Sequence, residues 1–168
     1  AVTSIVNGFN SAASVIPKFA DNALYDMMID NAMALNEKIS TIDSIYYFSY
    51  ACDGTYKDKN GAYHPDSKLI ASQYTETSKI LCSFTGTTPA GYVVDEKWLP
   101  NDGLVNTYSA LAPIGAPSVS YDSSNVKPGI WNVMEIVKGD HTTLQGAQRD
   151  NFNGRIFWVD LLSMINSL

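Results

Sequence analysis

Two residues in the second half of the chain have the types and setting that could do acid–base work. Asp102 lies in Trp98-Leu99-Pro100-Asn101-Asp102-Gly103-Leu104, a tight Asn-Asp-Gly turn. His141 ends Lys138-Gly139-Asp140-His141, just past the apolar run 129–137. A carboxylate that orients an imidazole leaves the other ring nitrogen free to act as a general base. This is the orienting half of a Ser-His-Asp relay. Singly, each residue has a plainer reading: Asp between Asn and Gly forms turns, and a loop histidine is usually solvated. Together on an α/β background they point to chemistry, because open α/β sheets place their sites beyond the carboxyl ends of strands. The nucleophile is missing. No Gly-x-Ser-x-Gly or Ala-x-Ser-x-Gly elbow occurs in the chain.

The remaining candidate groups are weaker. His64, the only other histidine, sits beside Pro65 in a polar stretch and reads as a surface residue. Cys52 and Cys82 form no Cys-x-x-Cys pair, and with two histidines they make a poor zinc set. They are expected to be buried thiols, with a disulfide between them as the alternative.

Residues 31–39 carry Ala32, Leu35, Asn36 and Ile39 on one helical face, with Asp30 placed to cap them. Met27 and Met28 just before them are core filler. Residues 44–52, Ser-Ile-Tyr-Tyr-Phe-Ser-Tyr-Ala-Cys, are the clearest strand, and the continuous apolar run predicts a parallel sheet covered on both faces. Residues 53–68 are rich in turn formers and read as a loop. A helix is expected over 69–84, stopped by Gly86, Pro89 and Gly91. Residues 92–98 lead into the Asp turn. Residues 104–128 read as a long crossing loop of the kind that usually carries function. Residues 129–137 are the second strand. The last helix is capped by Asn151 or Asn153 and shows Phe152, Ile156, Val159, Leu162 and Ile165 on one face. Residues 1–20 suggest an irregular helix as far as Val15, interrupted by Pro17. The alternation defines an α/β fold, and no repeat or linker divides residues 1–168.

The 168 residues are 45% hydrophobic and 17% charged, enough apolar material for one core. A formal charge of −6 and the lack of any Lys/Arg stripe argue against nucleic acid and anionic membranes as partners. No apolar run approaches the ~20 residues of a membrane span. The chain opens on Ala1-Val2-Thr3-Ser4 without Met or a signal-peptide pattern, as expected for a processed, trimmed or partly recorded polypeptide.

The segment 98–107, Trp-Leu-Pro-Asn-Asp-Gly-Leu-Val-Asn-Thr, resembles the surroundings of the triad acid in secreted bacterial triacylglycerol lipases of the thermophilic-Bacillus and staphylococcal type. Lys127-Pro128-Gly129-Ile130-Trp131-Asn132-Val133-Met134 and Gly139-Asp140-His141 resemble that family's last core strand and histidine loop. Residues 21–36, with Tyr25-Asp26 and Leu35-Asn36, resemble the segment ahead of its penultimate core strand, and 44–49 fall on that strand. With gaps, the resemblance covers about residues 20–165.

The resemblance implies the C-terminal portion of an α/β-hydrolase sheet, with parallel strands and covering helices. Asp102 would be the acid and His141 the base of a carboxylic-ester hydrolase acting on lipid. The family's serine elbow and oxyanion hole lie upstream of everything that matches. The implied partner is therefore an N-terminal half of the same protein, and the implied location is secreted. The alternative is a non-catalytic binding or structural module on a hydrolase-derived scaffold. Asp21 falls on a carboxylate that helps hold a structural zinc in thermophilic members; one carboxylate cannot hold zinc alone, and the resemblance puts the companion ligands upstream, so a structural zinc is an expectation for the complete protein only. The family's calcium site uses a Glu where this chain has Thr143, and a later Asp that aligns with Gln148 or, with a small gap, Asp150. Loss of a charged ligand weakens a hard-cation site, so calcium is not expected.

Overall fold

A computed structural model describes residues 26, 28–147 and 152–168. In chain order the elements are α1 (Ile29–Asn36), β1 (Tyr47–Ser49), β2 (Cys52–Asp53), β3 (Thr55–Lys57), β4 (Tyr63–Pro65), α2 (Thr75–Leu81), β5 (Gly86–Thr87), β6 (Val93–Val94), α3 (Thr107–Leu111), β7 (Ser118–Ser120), β8 (Trp131–Val133), β9 (Val137–Lys138) and α4 (Gly154–Asn166). Short 3-10 turns at Ser72–Tyr74 and Glu96–Trp98 complete the set. The mixture of helices with parallel strands is that of an α/β chain.

The organising unit is a three-stranded parallel sheet in the order β1-β8-β7. Tyr47 and Ser118 both sit opposite Trp131. Beyond it β2 pairs with β9, again in parallel, with Cys52 opposite Val137. The two pairings continue one another with a slip. Two residues, 50 and 51, separate β1 from β2, whereas three, 134–136, separate β8 from β9. The extra residue makes a bulge, bracketed by Met134 N donating to Ser49 O at 3.0 Å and Val137 N donating to Ala51 O at 2.9 Å. Bulges bend a strand and increase its twist. This is why the two long strands expected from the apolar runs each appear in two pieces.

Covering is uneven. Ala51 and Cys52 are buried, but Tyr47, Phe48 and Ser49 are only half-buried, and Ile45 and Tyr46 are exposed. In the central strand Asn132 is fully buried. Its amide donates to Tyr47 O, Lys127 O and Ile130 O, and its oxygen accepts from Lys127 N. These bonds satisfy the amide completely, as a buried polar side chain requires. Tyr47 packs on Trp131 at 5.3 Å between ring centres, and Tyr50 meets Phe157 of α4 edge-on at 5.1 Å.

Other expectations are redrawn. α1 begins two residues earlier than expected, with Met28 rather than Asp30 at the cap position and no capping side chain. The Asp30 carboxylate instead accepts from Ala90 N at 3.1 Å. The 53–68 stretch contains a hairpin, β3 with antiparallel β4, turned at Gly61, which has φ +89°. Within 69–84 only Thr75–Leu81 is α-helical. The 104–128 stretch is not all loop, because it holds α3 and β7. The final helix starts as read: the Asn153 side chain accepts from Ile156 N at 3.1 Å. The two cysteines are free and buried. The expected helix before Val15, Asp21, Gln148, Asp150 and Asn151 lie outside the described residues. Among the described residues no helix is long and apolar enough to cross a membrane.

Candidate functional site

The Asp turn and the His loop are both seated at the carboxyl ends of the β2/β9 pair. Gly54 N, just past β2, donates to Asn101 O at 2.9 Å, and Thr107 Oγ1 donates to Cys52 O at 2.7 Å. On the other strand Gly139 N donates to Asp53 O at 3.1 Å. These bonds place the two sequence-predicted residues together although 39 positions separate them.

The turn around Asp102 is saturated with hydrogen bonds. Asn101 and Asn106 form an antiparallel bridge, and Asp102 N donates to Val105 O at 3.0 Å. Asp102 Oδ1 accepts from Leu104 N at 2.9 Å and Val105 N at 2.7 Å. Gly103 takes φ +99°, a conformation that favours glycine, and a Cβ there would lie 2.7 Å from Tyr74 Cβ. The carboxylate is thus held by its own turn with Oδ2 left over. Oδ2 meets His141 Nδ1 at 2.9 Å. The backbone is tied too, His141 N donating to Asp102 O at 2.8 Å. A carboxylate acceptor fixes the proton on Nδ1 and leaves Nε2 as the ring nitrogen available to a substrate or nucleophile. The His141 side chain is 36% exposed, whereas that of Asp102 is 11% exposed. Tyr74 stands edge-on to the imidazole at 6.4 Å.

Three supporting side chains are hidden from a reading of the sequence, which shows them only as turn and loop formers. Asn101 is fully buried. Its Oδ1 accepts from Ser78 Oγ at 2.7 Å and Gly103 N at 3.0 Å, while Nδ2 donates to Leu99 O at 2.9 Å and Cys82 Sγ at 3.3 Å. Asp140 and Thr143, flanking the histidine, are also fully buried. Burial also pushes the Cys52 thiol up to about 12, with the Asp102 and Asp140 carboxylates adding to it. The Cys82 thiol is raised too, chiefly by burial. Neither thiol is the accessible, low-pKa kind that makes a nucleophile. His64, by contrast, stays within its own hairpin, Nε2 lying 3.1 Å from Asp58 Oδ2.

Metal sites fare differently. Among the described residues no group of three or more His, Cys, Asp or Glu is placed to hold an ion. The hydroxyl of Thr143, where the resembling family has a calcium-binding Glu, is engaged twice with Asp140. Beside the Asp turn lies an apolar recess of about 290 Å³, lined in part by Ile29, Met33, Trp98, Leu104, Val105 and Ile114.

This is a parallel-stranded α/β chain with an Asp–His pair at its strand ends, where sites on open α/β sheets usually lie. Residues 9–157 match the family described as lipase-like, C-terminal domain, and the chain belongs to that family. The lipase of Staphylococcus hyicus is 36% identical over 137 residues, covering 80% of this chain and 20% of that protein. Lipase 2 of Staphylococcus aureus is 32% identical over 130 residues, covering 76% of this chain and 17% of that protein. The chain therefore spans about a fifth of the length of the curated relatives it matches. Among solved structures, EstA from Clostridium botulinum superposes with a TM-score of 0.81 at 26% identity, over 90% of this chain and 36% of that one. The crystal structure of Staphylococcus hyicus lipase gives 0.72 at 26% identity, over 96% and 41%.

Proposed function

We propose that this chain supplies the acid and the base of a Ser-His-Asp carboxylic-ester hydrolase of the α/β-hydrolase fold, acting on triacylglycerol-type lipid and secreted. The observation that carries the proposal is the 2.9 Å contact between Asp102 Oδ2 and His141 Nδ1, made by a carboxylate whose other oxygen is already held by two backbone N–H groups. In the reaction a serine from a segment outside this chain attacks the ester carbonyl. His141 Nε2 takes its proton and later returns it to the leaving alkoxide. Asp102 holds the imidazole in the right tautomer and stabilises the imidazolium. Oxyanion donors come from the same outside segment.

Two features support a further sheet-bearing partner segment. The sheet ends on β1, whose second edge is unpaired among the described residues. α4 also carries exposed Ile156, Val159, Leu162 and Ile165 on one side.

The test is ester turnover by the complete lipase. Asp102→Asn is expected to lower kcat by roughly 10⁴, the cost of a wrong imidazole tautomer, and His141→Ala by at least as much. Turnover unchanged in either folded variant would sink the assignment.

A further inference from the structure

We propose that Asp140 is a positioning residue for His141, a buried carboxylate that clamps the histidine loop to the segment opposite it. The inference rests on the triad reading above.

Asp140 is fully buried, and both of its oxygens are spent on structure. Oδ1 accepts from Thr142 N at 3.0 Å, Thr142 Oγ1 at 2.8 Å and Thr143 Oγ1 at 3.2 Å. Oδ2 reaches across the molecule to Ala71 N at 3.0 Å. The loop is closed from the other side, because Asp140 N donates to Thr143 Oγ1 at 2.9 Å. Thr143 therefore serves as acceptor and donor to one residue. The fit leaves no room for a side chain at Gly139, where a Cβ would stand 2.3 Å from Thr143 Oγ1.

Ala71 gives the clamp its reach. It sits at the start of the 3-10 turn Ser72–Tyr74, whose last residue packs edge-on to the His141 ring. The Tyr74 Cβ also closes over Gly103 in the Asp turn. One carboxylate thus joins the base's loop to the segment that touches both base and acid. Two residues beyond the histidine, the Thr143 hydroxyl turns inward to Asp140, so these hydrogen bonds tie the loop to itself. A charge-assisted bond is roughly twice as strong as a neutral one, and a buried carboxylate with several donors is a stiff anchor. Stiffness matters because a shift of about 1 Å in a catalytic group can cost on the order of 100-fold in rate.

The experiment uses the complete lipase and compares Asp140→Asn, Thr143→Ser, Thr143→Val and His141→Ala. Readouts are kcat and KM on a soluble ester, thermal unfolding to establish folding, and the far-downfield proton signal of His141 Nδ1–H. In folded Asp140→Asn, which keeps size but offers a donor where only acceptors fit, kcat should fall about 100-fold with KM within about twofold. The Nδ1–H signal should broaden or vanish. Thr143→Ser should behave as the parent, whereas Thr143→Val should lose about tenfold in kcat. This pair decides the matter if Asp140→Asn fails to fold.

Normal kcat and an intact Nδ1–H signal in folded Asp140→Asn would overturn the proposal, as would equal turnover by the two Thr143 variants. Restoration of Asp140→Asn by millimolar calcium would overturn it too, since the loop would then be a cation site. If His141→Ala is inactive while folded Asp140→Asn turns over normally, the clamp alone fails. If His141→Ala still turns over, the triad reading fails and takes the clamp with it.

Discussion

The strand-end site and the terminal helix are built on opposite rules. Around the Asp turn and His loop the buried side chains are largely polar: Ser78, Asn101, Asp102, Thr107, Asp140 and Thr143. Nearly every hydrogen-bonding group there has a named partner, so the region is stiff and its geometry specific. On α4 the expected apolar face exists, yet Ile156, Val159 and Leu162 are 57%, 55% and 58% exposed. That helix meets the sheet through Phe157, whose ring packs on Tyr50 and Phe152. Polar order is concentrated where Asp102 and His141 meet at 2.9 Å. Apolar surface, which is indifferent to small displacements, remains open elsewhere.

The sharpest way to break this comparison is to remove polar order at the site. Asn101→Leu leaves Ser78 Oγ, Gly103 N and Leu99 O without their partner in a fully buried place. Each orphaned buried group costs about 1–3 kcal/mol, so a loss of about 3 kcal/mol or more is expected from urea unfolding. A loss below about 1 kcal/mol would mean that the turn is held by something other than these bonds.

A milder probe uses pH. Cys52 lies under the site, its thiol raised from an ordinary value near 9 to about 12. A group whose folded pKa is raised contributes stability that is fully present below its unfolded value and is lost as pH rises through the folded one. Stability should therefore fall above pH 9, by up to about 1 kcal/mol per pH unit. Cys52→Ala should start less stable but lose less over the same range. Identical alkaline profiles for the two proteins would show that the thiol is far less buried than the geometry indicates.

The contrast also governs what could be read from the residues alone. Asn153 as a cap and 47–49 and 131–133 as strand came from local chemistry and patterning, and those elements form. Asp102 and His141 were visible through turn type, loop position and family resemblance, and the fold brings them to 2.9 Å. The bulge was invisible because one extra residue in an apolar run changes no pattern; only the pairing of Cys52 with Val137 exposes it. The β3–β4 hairpin escaped because its strands, Thr-Tyr-Lys and Tyr-His-Pro, are three residues each and mostly polar. The Asn60-Gly61 dipeptide between them was its one available signal. Asn101 and Asp140 were hidden for a deeper reason. Asn and Asp are ordinarily exposed turn formers, and their burial depends on partners brought from 23 and 69 positions away.

The smallest expected effect tests the open side of the comparison. Val159 lies in the middle of α4, two residues beyond Phe157, on the uncovered side. Replacing it with Gln removes apolar surface that is more than half exposed and exchanges a β-branched residue for a better helix former. The two effects oppose or nearly cancel, and a surface change away from caps and networks normally stays within about 0.5 kcal/mol. Val159→Gln in the 168-residue chain should therefore leave the unfolding midpoint nearly unmoved. The same substitution in the complete protein should cost more, about 1–3 kcal/mol, because a further segment is proposed to bury this face and Gln there would lose its water. Equal, negligible costs in both settings would mean that α4 faces solvent in the whole protein. The exposed apolar stripe would then be no sign of a covering segment, leaving the unpaired edge of β1 as the structural feature that supports one.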